Sequence, residues 1–212
     1  MTTFLTDQSF KEIMDSLAAS TPAPGGGTAA ALAGVMAASL VQMVVNLTLG
    51  RKKYQQVQET MQELLVRASE LRGQLSELAT EDARAYEEVM QAYKFPKANP
   101  EEVSTRNQAI ERALHGAATV PLRTAQAAMQ VLDLTAQVAE AGNNNALTDA
   151  GVASLLAHAA IQAALYNVRV NITMLNPRPT WAEEMENTVN ALETRAIEVS
   201  SMIATTVTGQ IT

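Results

Sequence analysis

Between residues 57 and 89 apolar side chains recur in alternating steps of four and three: Val57, Met61, Leu64, Ala68, Leu71, Leu75, Leu78, Ala85 and Val89, with Asp82 the one polar member of the series. That spacing returns to a single face of a 3.6-residue helix, so it predicts a long helix whose seam packs on neighbours and which Phe95-Pro96 ends. Phe10, Ile13, Met14 and Leu17 predict a short amphipathic helix over 6–19. The loop Thr21-Pro-Ala-Pro-Gly-Gly-Gly27 follows, and a second helix is expected from about Thr28. Thr28 to Gly50 carries no charged residue, and Val152 to Val168 has the same charge-poor character. At about 1.5 Å per residue the first stretch is long enough to cross a bilayer. Its Ser39, Gln42, Asn46 and Thr48, and its preference for Ala over Leu, favour instead a central helix surrounded by protein. Asn99-Pro100-Glu101-Glu102 opens a further helix that Gly116 and Pro121 are expected to bend or interrupt, Gly142-Asn143-Asn144-Asn145 forms a second loop, and a last helix is expected over 181–207. No stretch alternates with the strand period and no internal repeat is visible. The expected architecture is therefore all-α: one domain over 1–212, a bundle of six or seven helices with two charge-poor helices at its centre.

Composition narrows the partners. Hydrophobic residues make up 47% of the chain and aromatics 4%, so the core must come from Ala, Leu, Val and Met between closely set helices. A formal charge of −7 argues against nucleic acid or an acidic membrane as the main partner. The absence of cysteine fits a reducing compartment and removes disulfides and thiolate chemistry, and Asp7, Lys11, Glu12 and Asp15 interrupt what a secretion signal would need to keep apolar. The expectation is a cytoplasmic protein. His115 and His158 are the only histidines, neither in a metal-ligand spacing, so no metal is expected; Ser154 and His158 share a helix face, for which a satisfied core histidine is the expected reading.

Four places remain that carry chemistry. Asp82 on an apolar seam loses hydration, which raises its pKa toward the range of a general acid at neutral pH; the alternative is a structural carboxylate paired with an arginine or capping a neighbouring helix. Pro24, Gly25, Gly26 and Gly27 lead straight into a helix, where unpaired N–H groups and the helix dipole can seat an anion or a polar ring, or simply let two helices approach closely. Arg51-Lys52-Lys53 is the only run of three cations, suited to a polycarboxylate or to solvating a helix end. Asn143, Asn145 and Asp149 offer amide and carboxylate groups before the second charge-poor helix, or turn and cap residues.

Thr21-Pro-Ala-Pro-Gly-Gly-Gly-Thr-Ala-Ala-Ala-Leu-Ala-Gly34, Asn46-Leu-Thr-Leu-Gly-Arg-Lys-Lys-Tyr54, Asp82 with Ala85-Tyr86 and Val89, Phe95-Pro-Lys97, Val120-Pro-Leu122, Gly142-Asn143 with Asn145, Asp149-Ala-Gly151 and Asn167-Val168 with Asn171 occur in that order. Together they resemble the cyclodeaminase/cyclohydrolase family of folate one-carbon enzymes. The resemblance implies an all-helical homodimer acting on a tetrahydrofolate derivative, often polyglutamylated, with no cofactor beyond that substrate. It implies formiminotetrahydrofolate cyclodeaminase activity, giving 5,10-methenyltetrahydrofolate and ammonia, or methenyltetrahydrofolate cyclohydrolase activity on the same fold. Asp82 matches the family's acid. By the same resemblance the glycine loop, Asn143 and Asn145 would orient the pterin, Arg51, Lys52, Lys53 or Lys97 would answer the glutamate carboxylates, and Asn46 and Asp149 would also bind the substrate. A non-catalytic helical scaffold or anion-binding module is the rival from another class.

Overall fold

Six α-helices account for most of residues 5–211, the part that the computed structural model describes: α1 (Phe10–Leu17), α2 (Gly26–Thr48), α3 (Gln58–Ala92), α4 (Pro100–Ala141), α5 (Leu147–Thr173) and α6 (Thr180–Ile211). Met1 to Phe4 and Thr212, within the expected domain 1–212, lie outside the described residues. Short 3-10 turns at Leu5–Asp7, Lys52–Val57 and Asn144–Ala146 complete the secondary structure, and no strand occurs among the described residues. The expected all-helical bundle is what is found.

Local chemistry sets the helix starts. Ser9 and Glu12 cap each other at the first turn of α1, which places its start at Phe10, four residues later than its spacing suggested. Asn99 accepts the Glu102 N–H at 2.9 Å and Pro100 takes the first turn of α4, where its missing donor costs nothing. The N-cap of α2 is Gly25, whose lack of a side chain leaves the first turn without a cap from its own strand of sequence. The helix begins at Gly26, so two of the three loop glycines belong to it.

The seam of α3 is buried as expected: Met61, Leu64, Ala68, Leu71, Leu75, Leu78, Ala85 and Val89 all lie in the core. It packs on α2 and α4, while α2 and α5 pack on each other. Small residues permit the approach of α2 to α3: a Cβ on Gly34 would stand 3.0 Å from a Leu75 methyl. Both α2 and α5 are long and apolar enough to span a membrane, and both bury one face in this bundle, α2 through residues such as Ala37, Val41 and Val45. α6 straps the outside, with Arg169 bonded to Glu186 and Glu193 (3.3 and 2.7 Å) and Arg195 to Asp133 (2.9 Å).

Of the bend or interruption expected at Gly116 and Pro121, the interruption is not found. Neither Gly116 nor Pro121 interrupts α4, which runs 42 residues with Pro121 buried inside it. Proline at 121 has no N–H for the carbonyl of Ala117, four residues back. That carbonyl is instead taken by the Asn171 side-chain amide of α5 at 2.9 Å, which also donates to the Asn167 carbonyl at 2.8 Å. The defect in one helix is thereby repaired by its neighbour, and the repair fixes α4 against α5.

This exchange makes a double-variant prediction. Asn171→Leu leaves the Ala117 carbonyl without a donor and is expected to cost about 1–3 kcal/mol in denaturant unfolding. Adding Pro121→Ala restores an intrahelical donor and recovers part of that loss. Loss of equal size in the single and the double variant would show that the amide does not stand in for the missing N–H.

Candidate functional site

The uncapped start of α2 receives its partner from α3. Asp82 projects from the seam toward Gly27 and Thr28, and its Oδ2 accepts a hydrogen bond from the Thr28 hydroxyl at 3.0 Å. A Cβ on residue 27 would stand 2.6 Å from the Asp82 carboxyl carbon, so only glycine leaves room for the carboxyl there. Thr28 itself is fully buried, and its hydroxyl also lies 3.3 Å from the carbonyl of Ala79. Asp82 makes no ion pair among the described residues, so of the two structural alternatives the arginine partner is absent and the helix cap is present. Its neighbour Glu81 is the carboxylate that pairs with an arginine, Arg123, at 2.6 Å.

Two forces act on the Asp82 proton. Burial, the larger, pushes the pKa above the ordinary aspartate value; the Thr28 hydroxyl and backbone N–H favour the charged form and offset part of that. The result is a carboxyl raised by desolvation and still bonded to the Thr28 hydroxyl and backbone N–H.

The carboxyl opens into a cleft of about 430 Å³ between α2, α3, α4 and α5. Its floor is Gly25, Gly26 and Gly27. Tyr86, Val89, Met90 and Tyr93 form the α3 wall, reached by steps of three and four from Asp82, and Asn167, Val170, Asn171 and Met174 the α5 wall. Asn167 donates to the Ala163 carbonyl at 2.8 Å, with its amide 3.6 Å from where a Gly26 Cβ would stand. The site thus has an apolar and aromatic slot, two asparagine amides and a single carboxyl. Tyr86 and Tyr93 are its other titratable groups.

The other expected site residues lie elsewhere. Pro24 is half-buried next to the glycines without lining the cleft. Lys97 is exposed in the connection between α3 and α4. Asn46, Arg51, Lys52 and Lys53, all exposed, sit at the far end of α2, about 30 Å from Asp82 by helix length. Asn143 is a structural tie at that end: its backbone N–H donates to Thr48 Oγ1 at 2.9 Å, its amide to the Leu47 carbonyl at 2.8 Å, and its Oδ1 accepts from the Asn145 N–H at 3.1 Å. The Tyr54 hydroxyl accepts the Asn144 N–H at 3.1 Å, and Asp149 is half-buried in the first turn of α5. Within one chain none of these meets Asp82. His158 is half-buried between Gln162 and Ser200, 3.5 Å from each, and has no hydrogen bond to Ser154. No group of three metal-ligating side chains occurs among the described residues.

Asn167 and Asn171 escaped the residue-level reading, although a polar pair four apart on a charge-poor helix was a signal. So was the α3 face beyond Asp82, which Tyr86 and Tyr93 share by helical spacing alone.

Comparison with known proteins places this arrangement. A model of the family described as formiminotransferase-cyclodeaminase matches residues 9–191. A methenyltetrahydrofolate cyclohydrolase of Methylorubrum extorquens is 40% identical over 205 residues, covering 97% of this chain and 98% of that protein. The rat formimidoyltransferase-cyclodeaminase is 33% identical over 168 residues, 79% of this chain but 31% of that longer protein, so the chain spans about a third of it. The crystal structure of a formiminotetrahydrofolate cyclodeaminase from Thermotoga maritima superposes with a TM-score of 0.88 at 29% identity, covering 98% of this chain and 99% of the other.

Proposed function

The chain belongs to the formiminotransferase-cyclodeaminase family, and from that premise we propose that it works on the single carbon carried between N5 and N10 of a tetrahydrofolate, with Asp82 moving the proton. The observation that carries the reading is the lone desolvated carboxyl at the head of a cleft with a glycine floor, aromatic wall and asparagine amides. Such a slot suits a flat, hydrogen-bonding pterin.

As a cyclodeaminase, the first reading, N10 attacks the carbon of the 5-formimino group and gives a tetrahedral carbon bearing an amino group. N10 must lose a proton and the amino nitrogen must gain one before the C–N bond breaks and ammonia leaves. One carboxyl can carry both, which balances the step and leaves the 5,10-methenyl cation. The second reading is the cyclohydrolase, favoured by 40% identity along almost the whole length of the Methylorubrum protein. There water adds to the methenyl carbon, one of its protons passes to Asp82 and is returned to the ring nitrogen that departs, and the remaining hydroxyl proton is released to solvent as the C–N bond breaks and the formyl C=O forms. In both reactions the carbon is already an electrophilic amidinium-type centre, so a proton shuttle is the help it most needs. No cofactor beyond the folate enters either scheme. The net charge of −7 and the lack of cysteine support a cytoplasmic setting without nucleic acid or an acidic membrane as main partner.

The variant Asp82→Asn separates this role from a structural cap. Turnover of 5-formimino- or 5,10-methenyltetrahydrofolate is expected to fall by about 10²–10⁴-fold with folate affinity kept. Stability has a definite sign. A folded-state pKa above the unfolded one gives stability that is fully present below the ordinary aspartate range and is lost as pH rises through the folded value. Asparagine escapes that loss, so at pH 7 the variant melts at the same or a higher temperature and converges with the parent in acid. An early-melting variant with near-parental turnover per folded molecule contradicts the proposal.

A homodimer is part of the same proposal. α2 exposes Met36 and Met43, and α5 exposes Tyr166 and Val170 at 65% and 55%, an uncharged face that a second copy would cover. Sedimentation at low micromolar concentration is expected to give a dimer that Met36→Glu dissociates; a clean monomer of the parent chain removes it.

A further inference from the structure

Asp149-Ala-Gly151, at the start of α5, takes no part in the Asp82 cleft. Beside it lies a separate hollow of about 280 Å³ between the first half of α5 and the last half of α6, which shares no residue with the cleft. Val152 and Leu155 of α5 and Ile203 and Val207 of α6 form its walls, and no ionisable side chain lines it. Gly151 brings the two helices together there: a Cβ on it would stand 3.3 Å from a Val207 methyl.

Ser154 is the informative residue. It is only 3% exposed, yet its hydroxyl has no hydrogen-bond partner among the described residues. Its oxygen keeps a small open area, and the hollow is the space it borders. A buried helical hydroxyl ordinarily spends its proton on a carbonyl, as Thr135 does on that of Val131 at 2.8 Å, and an unspent one is costly. Ser200, across the hollow on α6, is already engaged: it donates to the Ile197 carbonyl at 3.2 Å and lies 3.5 Å from His158 Nδ1. Water fills such a space poorly, since at its depth it finds one free hydroxyl among hydrocarbon walls.

We propose that this hollow binds a small, neutral, largely apolar molecule, with one oxygen or nitrogen of that molecule bonded to Ser154 Oγ. An apolar cavity of about 150 Å³ takes up benzene, so roughly ten non-hydrogen atoms suit this one. A charged ligand is disfavoured, because no lining group would compensate its charge. Leu155, 68% exposed, stands at the mouth and loses its water to the bound molecule. Occupancy also bears on the fold. Beyond Arg195 no ion pair among the described residues ties α6 to the bundle, so its last half rests on apolar contacts such as Ile203, and a ligand held between Ser154 and Val207 adds to them. The face assigned to a second copy centres on Tyr166 and Val170, about 16 Å or more beyond Leu155 along α5 by helix rise. The site does not depend on the folate reading.

Titration of the full chain with 1-octanol, octanoate and octylammonium, followed by methyl NMR, tests it. The alcohol is expected to bind saturably, to shift the methyls of Val152, Leu155, Ile203 and Val207, and to leave those of Val89 and Val170 at the Asp82 cleft in place. Both ions are expected to bind at least about tenfold more weakly. Ser154→Ala, which removes the hydroxyl and keeps the walls, is expected to weaken the alcohol about threefold to tenfold. Ala204→Phe, a plug at an exposed position of the lip, is expected to abolish binding, with an unchanged helical circular dichroism spectrum to show that the chain is folded. Absence of a saturable shift, shifts centred on the Asp82 cleft, octanoate binding as tightly as octanol, or full affinity in Ser154→Ala would each overturn the proposal. So would binding seen in Met36→Glu alone, since a second copy would then be what fills the hollow in the parent.

Discussion

The N-cap residue of α2 offers no side-chain cap, and a carboxyl from the middle of the α3 seam reaches its first turn instead. Much of the molecule is arranged around that contact. Residue 27 must be glycine for Asp82 to reach the helix, Thr28 must offer its hydroxyl, and the seam must be apolar on either side so that the carboxyl is desolvated. The helix terminus and the hydrogen bonds favour the anion; burial favours the acid and outweighs them. Burial and hydrogen bonding thus pull on one proton in opposite directions, and the balance leaves the carboxyl above the ordinary aspartate value.

A second local defect shapes the opposite wall. Pro121 deprives the Ala117 carbonyl of its helical donor, Asn171 provides the substitute, and both Ala117 and Asn171 face the cleft. A helix start without a side-chain cap and a helix interior without a donor thus lie on two sides of one slot. Each is satisfied by a residue of another helix, so the slot is held by tertiary hydrogen bonds as well as by apolar packing. The core beneath is built of Ala, Val and Leu, and gives the rigid base on which those few polar contacts keep their geometry.

Much of the fold could be read from the sequence because its strongest signals are periodic. The uninterrupted four-and-three spacing of α3, the two charge-poor helices and the break at Asn143–Asn145 appear where the pattern put them, while α2 starts two residues earlier than expected and takes in Gly26 and Gly27. Asp82 was legible for the same reason, as the one break in a regular seam. What failed to follow was anything that depends on which end of a helix meets which. Arg51–Lys53 follow the glycine loop in the order of motifs, yet the length of α2 separates them from it, and Asn143, at that same far end, spends its amide on the Leu47 carbonyl. Pro121 misled because proline reads as a break unless a donor from elsewhere in the chain is known.

The account stands on burial having raised the Asp82 proton affinity against the pull of Thr28, and on that proton being the one that moves. The most direct test is the pH dependence of kcat/KM, which reports ionisation in the free enzyme, for the parent chain and for Thr28→Val. An inflection above the ordinary aspartate range, displaced further upward when the hydroxyl that favours the anion is removed, is the predicted result. An inflection at or below the ordinary aspartate value, or one that Thr28→Val leaves in place, would contradict it.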